Sequence, residues 1–333
     1  MTSYRNFWLS LLNIYHLLLG IYWILRSLFG GTFWWLALLN TFALFVIIPL
    51  LLTVPVTLLL RGKRSTAIAI ILTVIAIAKY VPLPKPAPPP SNDTIRVISY
   101  NVWNRNPQLN SDIDWLLEQD ADVIVLVEAV NHHLPVLSRL MNHYAYQYTL
   151  VGGIMIVSRY PILENQIVVL EVADSENKGR VALRSQLDVN GQAISVYSVH
   201  LSVPRSPAQH FPFVPYQRFI YTIQHYDESR RNAQIAVLLE YVGKENNPVL
   251  IMGDFNMSHT SAIYDDFVAA GLVDSYAAAG NGFGLSWSLK PSLPPVLRID
   301  YVWHSSSLRT VQAQIGERRG SDHLPVIVDI ALD

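Results

Sequence analysis

Six stretches of this 333-residue chain carry, at or beside the end of an apolar run, a residue able to bind a metal or move a proton. Asn101 lies in Ser99-Tyr100-Asn101-Val102-Trp103, and Glu128 follows the apolar run 123–127. His200 closes Val196-Tyr197-Ser198-Val199-His200-Leu201. Asp254 and Asn256 share Gly253-Asp254-Phe255-Asn256, and Asp300 sits in Arg298-Ile299-Asp300-Tyr301-Val302-Trp303. Asp322 and His323 belong to Gly320-Ser321-Asp322-His323-Leu324-Pro325. Carboxylate and amide oxygens are hard ligands suited to a divalent cation, and an imidazole exchanges its proton near neutrality. Each position also has an ordinary reading, since Asp and Asn beside Gly are common turn residues. Six of them in one domain, nearly all closing apolar runs, are hard to assign to turns. The chain has no cysteine, which excludes disulfides, thiolate metal sites and cysteine nucleophiles.

The elements that must position these residues alternate between short β-type runs and helical ones. Strands are predicted over 94–102, 122–127, 153–158, 166–172, 180–189 and 192–201, then over 248–253, 299–303, 310–315 and 326–331. Asn190-Gly191 is a two-residue hairpin signal between two of them. Ser111 is placed as the cap of a helix through Gln119, and a long amphipathic helix is predicted over 218–242. Hairpins mixed with crossovers predict an α/β sandwich with mixed sheets, not a purely parallel doubly wound sheet.

The order Asn101, Glu128, His200, Asp254-x-Asn256, Asp300, Ser321-Asp322-His323 resembles the endonuclease/exonuclease/phosphatase superfamily. Ser158-Arg159-Tyr160-Pro161-Ile162 resembles a further stretch common there. The resemblance runs from about Ile95 to the carboxyl end. It implies a four-layer sandwich of two mixed β-sheets flanked by helices, and a metal-dependent phosphoester hydrolase, with phosphodiesters favoured. His200 and Trp103 lean towards the deoxyribonuclease and neutral sphingomyelinase branch; abasic-site endonucleases carry a tyrosine and an acidic residue at those places. Glu128 lacks the Gln that commonly precedes it in the family, a change that leaves its carboxylate in place.

By the same resemblance Glu128 is the leading ligand for Mg²⁺ (or Mn²⁺), with the Asn101 carbonyl oxygen beside it and Asp322 as a third. His323, oriented by Asp300, is the expected base; Asp254 orients the nucleophile or His200. Asn256 and His200 donate to phosphoryl oxygens, a preorganised electrostatic role. Exchanging the roles of His200 and His323 contradicts nothing in the sequence.

The amino-terminal part is of another kind. Residues 1–91 contain no Asp or Glu and hold seven of the 24 basic residues, leaving 17 against 25 acidic ones, a formal charge of −8, for residues 92–333. Three apolar runs, 7–25, 33–60 and 65–81, predict about three membrane-spanning helices over residues 1–81. Pro49 and Pro55 predict a kink in the second, and two spans plus an interfacial helix is the alternative. Ala76-Ile77-Ala78 resembles a cleavage site, but three long runs do not fit one signal peptide. Arg61, Lys63 and Arg64 form the densest basic loop, which predicts that it faces the cytoplasm and that the domain over 93–333 lies outside. The Pro-rich residues 82–92 predict a stiff linker.

The expected partners are therefore the lipid bilayer and a phosphoester substrate close to it. Long nucleic acid is disfavoured because a net-acidic domain lacks the basic footprint such a ligand needs. Arg230 and Arg231 are the candidate local patch that keeps a membrane-tethered nuclease as the second reading. A non-catalytic membrane module on the same fold is the third. The segment after His200, with Val203-Pro204-Arg205-Ser206-Pro207 and then Phe211, Phe213, Val214 and Tyr216, is a candidate interfacial loop.

Overall fold

The computed structural model describes residues 2–83, 85–86, 88–89, 91, 93–150, 153–171, 179–205, 220–221 and 223–332. The candidate interfacial loop beyond Arg205 and the end of the strand predicted over 166–172 lie outside them. The chain divides into two compact units, Met1–Leu83 with Ser258–Ile263, and Pro84–Met257 with Tyr264–Asp333.

The first unit is helical: α1 (Thr2–Phe29), α2 (Trp34–Thr41), α3 (Ala43–Ile47), α4 (Leu50–Leu59) and α5 (Lys63–Tyr80). Helix α1 is long and apolar enough to cross a membrane, and only 17% of its most apolar window is buried within the protein. The run over 33–60 is not one straight helix; it bends by 78° between α2 and α3–α4. The break falls at Phe42, whereas Pro55 is carried inside α4 and Pro49 caps it. Helix α5 includes Lys63, Arg64 and Lys79, a charge load that lowers its mean hydropathy. One helix, or two if the bent pair counts as one span, meets the length and composition of a membrane span among the described residues, against the three expected. The unit also contains residues assigned by sequence to the catalytic domain: Arg26 Nη1 donates to Thr260 O at 2.5 Å, and Thr41 Oγ1 lies 3.1 Å from Ser261 Oγ.

The second unit contains two six-stranded sheets among the described residues. The first has the order β11 (Arg309–Ile315), β12 (Val326–Ala331), β1 (Thr94–Asn101), β2 (Val123–Val127), β4 (Ile154–Ser158), β3 (Tyr146–Leu150). The second has the order β5 (Ile162–Glu171), β6 (Arg180–Val189), β7 (Gln192–His200), β8 (Val249–Asp254), β10 (Asp300–Ser305), β9 (Leu272–Asp274). Strand alternation explains the layering. Val97, Val123, Val125 and Ile156 face Leu183, Val196, Leu250 and Met252 of the other sheet in one buried cluster. Ile98, Tyr100, Ile124 and Leu126 point the other way, against α6 (Leu109–Glu118) and α7 (Leu134–His143). Because β2 packs on both faces, all five of its residues are buried.

Two helical expectations change. Ser111 is inside α6, its hydroxyl donating to Gln108 O at 3.1 Å, and does not cap it. The helix predicted over 218–242 is interrupted; α8 covers Ser229–Val242, and Asp227 accepts the Ser229 N–H at 2.9 Å, a turn that ends the preceding segment. Lys85 and Pro89 of the Pro-rich stretch lie with the second unit, where Pro89 O accepts from Arg309 at 2.8 Å and Ala277 O from Lys85.

Candidate active site

Strand pairing brings the chemistry to one end of both sheets. Strands β1 and β2 run parallel with Asn101 opposite Val127, so Asn101 and Glu128 emerge side by side. In the other sheet β7 and β8 run parallel with His200 opposite Asp254, and antiparallel β10 sets Asp300 opposite Asp254. Ser321, Asp322 and His323 precede β12, which returns alongside β1. The Ser321 hydroxyl donates to Asn101 O at 2.7 Å and accepts the His323 N–H at 3.0 Å, tying that turn to the end of β1.

The backbone is specialised here. Trp103, Glu128 and Asn256 have φ of 56°, 58° and 48°, a region that non-glycine residues seldom occupy. Gly253, at φ 145°, cannot be replaced without movement, since a Cβ there would meet Val199 O at 1.9 Å. That close approach of β7 to β8 sets Asp254 beside His200.

The side chains interlock. Asn101 Nδ2 donates to Asp254 Oδ2 at 3.0 Å and reaches Glu128 Oε1 at 3.4 Å, while its carbonyl oxygen accepts from Trp103 N at 3.0 Å. The expected carbonyl ligand is thus turned to the backbone, and the amide hydrogens face the carboxylates. Glu128 Oε2 accepts from Asn104 N at 2.9 Å. His200 Nε2 lies 3.9 Å from Glu128 Oε1 and 3.8 Å from Asp254 Oδ2. Asp254 Oδ1 accepts from Asn256 N at 2.8 Å, but the Asn256 amide donates away, to Leu201 O at 3.0 Å. His323 Nδ1 bonds Asp300 Oδ2 at 2.9 Å, and its Nε2 stands 3.8 Å from Asp254 Oδ2. Asp300 Oδ2 also accepts from Ser286 at 2.7 Å. Asp322 adjoins this group in sequence and its charge acts on His323, yet no direct bond joins it to Glu128 or Asn101 among the described residues.

Two histidines in one cluster hold opposite charge states. Burial disfavours a charged His200, and neighbouring Arg180 adds to that, so its pKa falls to about 4. Burial also opposes charge on His323, but Asp300 and Asp254 outweigh it and raise its pKa to about 10. The 3.4 Å contact with Asn101 Nδ2 is too long to decide the protonation against two carboxylates. Burial pushes Asp254 up to about 7 against the favourable pull of His323, with Asp300 adding repulsion.

The carboxylate oxygens of this cluster fit a divalent cation, whereas a His323 that carries its second proton has no lone pair for one. Asp254, Asp300 and His323 bring ligand atoms within 4.8 Å of one another. Asp300 Oδ1 and Asp322 Oδ1 are buried carboxylate oxygens without a hydrogen-bond partner. All three residues of that group belong to the expected catalytic set, and Glu128 is linked to it through Asn101 and His200.

Sequence reading missed Arg180 at the start of β6, whose charge acts on His200, Asp254 and Glu128. Its only signal was a Gly-Arg pair opening a strand next to the one that ends in His200. Ser286, the second partner of Asp300, carried no signal. Arg230 and Arg231 are not an open patch: Arg230 Nε binds Glu171 at 2.7 Å, and buried Arg231 bonds Glu228 at 3.0 Å and Asn256 O at 2.7 Å.

The comparisons give the family to which this fold and this set of residues belong. Residues 98–323 match the model of the Endonuclease/Exonuclease/phosphatase family, and the chain belongs to that family. Its members are generally metal-dependent phosphoester hydrolases. The chain is 29% identical over 185 residues to YbhP of Escherichia coli strain K12, covering 54% of this chain and 63% of that protein. Among solved structures, a family member from Bacteroides vulgatus superimposes with a TM-score of 0.59 at 14% identity, over 72% of this chain and 99% of the other. One from Leptotrichia buccalis gives 0.55 at 19% identity, over 71% and 99%. TDP2 from C. elegans gives 0.54 at 15% identity, over 72% and 77%. These likenesses establish the fold.

Proposed function

We propose that this chain hydrolyses a phosphodiester at a membrane surface, acting on a lipid or lipid-linked phosphate with Mg²⁺ (or Mn²⁺). The observation that carries the hydrolase reading is the meeting of Asn101, Glu128, His200, Asp254, Asp300 and His323 at one end of two sheets. A bound divalent cation would supply Lewis-acid stabilisation of the phosphoryl oxygens; Glu128 is the residue that would hold it, with Asp322 offering an unpaired oxygen.

His323, charged at neutral pH, is a poor base and a good donor to a developing oxyanion. Asp254, with a pKa near the working pH, is better suited to take the proton of the attacking water. This moves the base from His323 to Asp254 and gives His323 a donor role that the sequence assigns to Asn256 and His200. His200 is neutral and lines the same space, and Arg180 adds a cation for the anionic substrate.

Placement at a membrane draws on the exposed apolar α1, and a catalytic domain on the membrane's outer side draws on the basic loop at Arg61, Lys63 and Arg64. A lipid substrate draws on the domain's charge of −8 and on the carboxylate partners that occupy Arg230 and Arg231. The test gives the full-length protein mixed phospholipid vesicles and plasmid DNA together. Headgroup or phosphate release is expected. Rapid plasmid nicking without lipid turnover would put the tethered nuclease in its place.

A further inference from the structure

The loop joining α4 to α5 borders a cavity of about 320 Å³ lined by Leu58, Arg61, Lys63, Thr66, Ala67 and Ile70. Two of those residues are cations and three are apolar. Residues 1–91 and Ser258–Ile263 contain no Asp or Glu, so the helical unit has no carboxylate with which to neutralise Arg61 or Lys63. Charge complementarity must come from elsewhere.

Arg61 is also held where its side chain is a burden. Gly62 N donates to Thr57 O at 3.0 Å and Arg61 N to Leu58 O at 2.9 Å, the paired bonds of a Schellman cap. The residue at this place adopts the left-handed conformation, here φ 55°, and glycine is its usual occupant because a Cβ is crowded there. In this chain the glycine comes one residue later and an arginine takes the strained place. Next to the cavity the helices expose Leu59, Ile71 and Val74, and the lining residues Leu58 and Ile70 are themselves exposed. A basic end and an apolar track describe an amphiphile with an anionic head.

We infer that this cavity binds an anionic phospholipid, with Arg61 and Lys63 at the headgroup phosphate and Leu58, Ala67 and Ile70 along the upper acyl chains. The inference rests on the reading that the helical unit meets a bilayer, and is separate from the catalytic centre.

The full-length protein, in neutral detergent, is offered equal phosphatidylglycerol and phosphatidylcholine, and native mass spectrometry counts the molecules of each retained. Flotation with vesicles of either lipid reports membrane association. The wild type should retain phosphatidylglycerol in preference. Each near-surface cation favours anionic lipid by about fivefold, so Arg61→Gly should lower the preference about fivefold and Arg61→Gly with Lys63→Gln roughly 30-fold. Lys79→Gln, outside the cavity, should leave it unchanged. Arg61→Gly relieves backbone strain, so its melting temperature should hold or rise while lipid preference falls; a purely structural arginine would not behave so. Flotation without lipid preference, or an unchanged preference in the double variant, overturns the inference alone. Displacement of the lipid by inorganic phosphate reassigns the cavity to a free anion. Failure to float with either lipid overturns both the inference and the membrane reading beneath it.

Discussion

Replacing Asp300 by Asn tests whether His323 works as a cation. The substitution keeps shape and leaves an oxygen able to accept from His323 Nδ1 and Ser286 Oγ, now at 2.9 and 2.7 Å, so the loss is chiefly the charge. With burial opposing it, a His323 pKa of about 10 still favours the charged ring by roughly 5 kcal/mol over an ordinary histidine at 6.5. Asp300 is in direct contact and Asp254 is 3.8 Å from the other ring nitrogen, so Asp300 supplies the larger part. Asp300→Asn should therefore lower the His323 pKa towards its ordinary value, since burial is then opposed mainly by Asp254. NMR titration of the histidine Cε1–H signals in chelator-treated protein reads this directly. At about pH 8 the variant's ring would be largely neutral, and turnover of an aryl phosphodiester should fall on the order of 10²–10³-fold, the loss expected for one oxyanion donor. The wild-type profile follows from the same two groups. Asp254 accepts a proton only when ionised and His323 donates only when charged, so the rate should rise through about pH 7 and fall through about 10. A wild-type His323 titrating near 6.5, or an Asp300→Asn enzyme as fast as wild type at about pH 8, would refute the reasoning.

Glu128→Gln should abolish metal-dependent turnover with the fold intact by circular dichroism; full activity after chelator treatment would remove the metal from the mechanism. His200→Ala should lower kcat on the order of 10²–10³-fold if the ring donates to a phosphoryl oxygen, and an unchanged kcat would exclude it. Arg231→Met breaks a buried ion pair and the bond to Asn256 O, and should destabilise the protein by about 3–5 kcal/mol in a denaturant titration; an unchanged midpoint would contradict the role assigned to it. If α5 crosses the membrane with the loop over 61–64 inside, the domain over 93–333 lies outside, and protease added to intact spheroplasts should digest it; protection until lysis would reverse that orientation.

Much of the molecule is legible in the residues alone, because some physical signals are local. Alternating apolar residues mark β1 and β7 wherever they pack. The absence of Asp and Glu from residues 1–91 separates two kinds of chain without any contact being known. Gly253 and Asp254 declare a strand end, since only glycine tolerates the approach of Val199 O. The tertiary structure decided what depends on neighbours distant in the chain. Asn101 and His323 are 222 residues apart and meet only because β12 returns beside β1. The break at Phe42 went unread because the prolines that should have marked it were accommodated in and before α4. Arg230 and Arg231 read as a free patch until Glu171 and Glu228 were seen to occupy them. His200 and His323 were interchangeable in sequence, being the same side chain at the same kind of strand end. Burial opposes charge on both; Arg180 reinforces it at His200, whereas Asp300 and Asp254 overcome it at His323. In a poorly screened interior the nearest charges, not the residue type, decide where the proton stays.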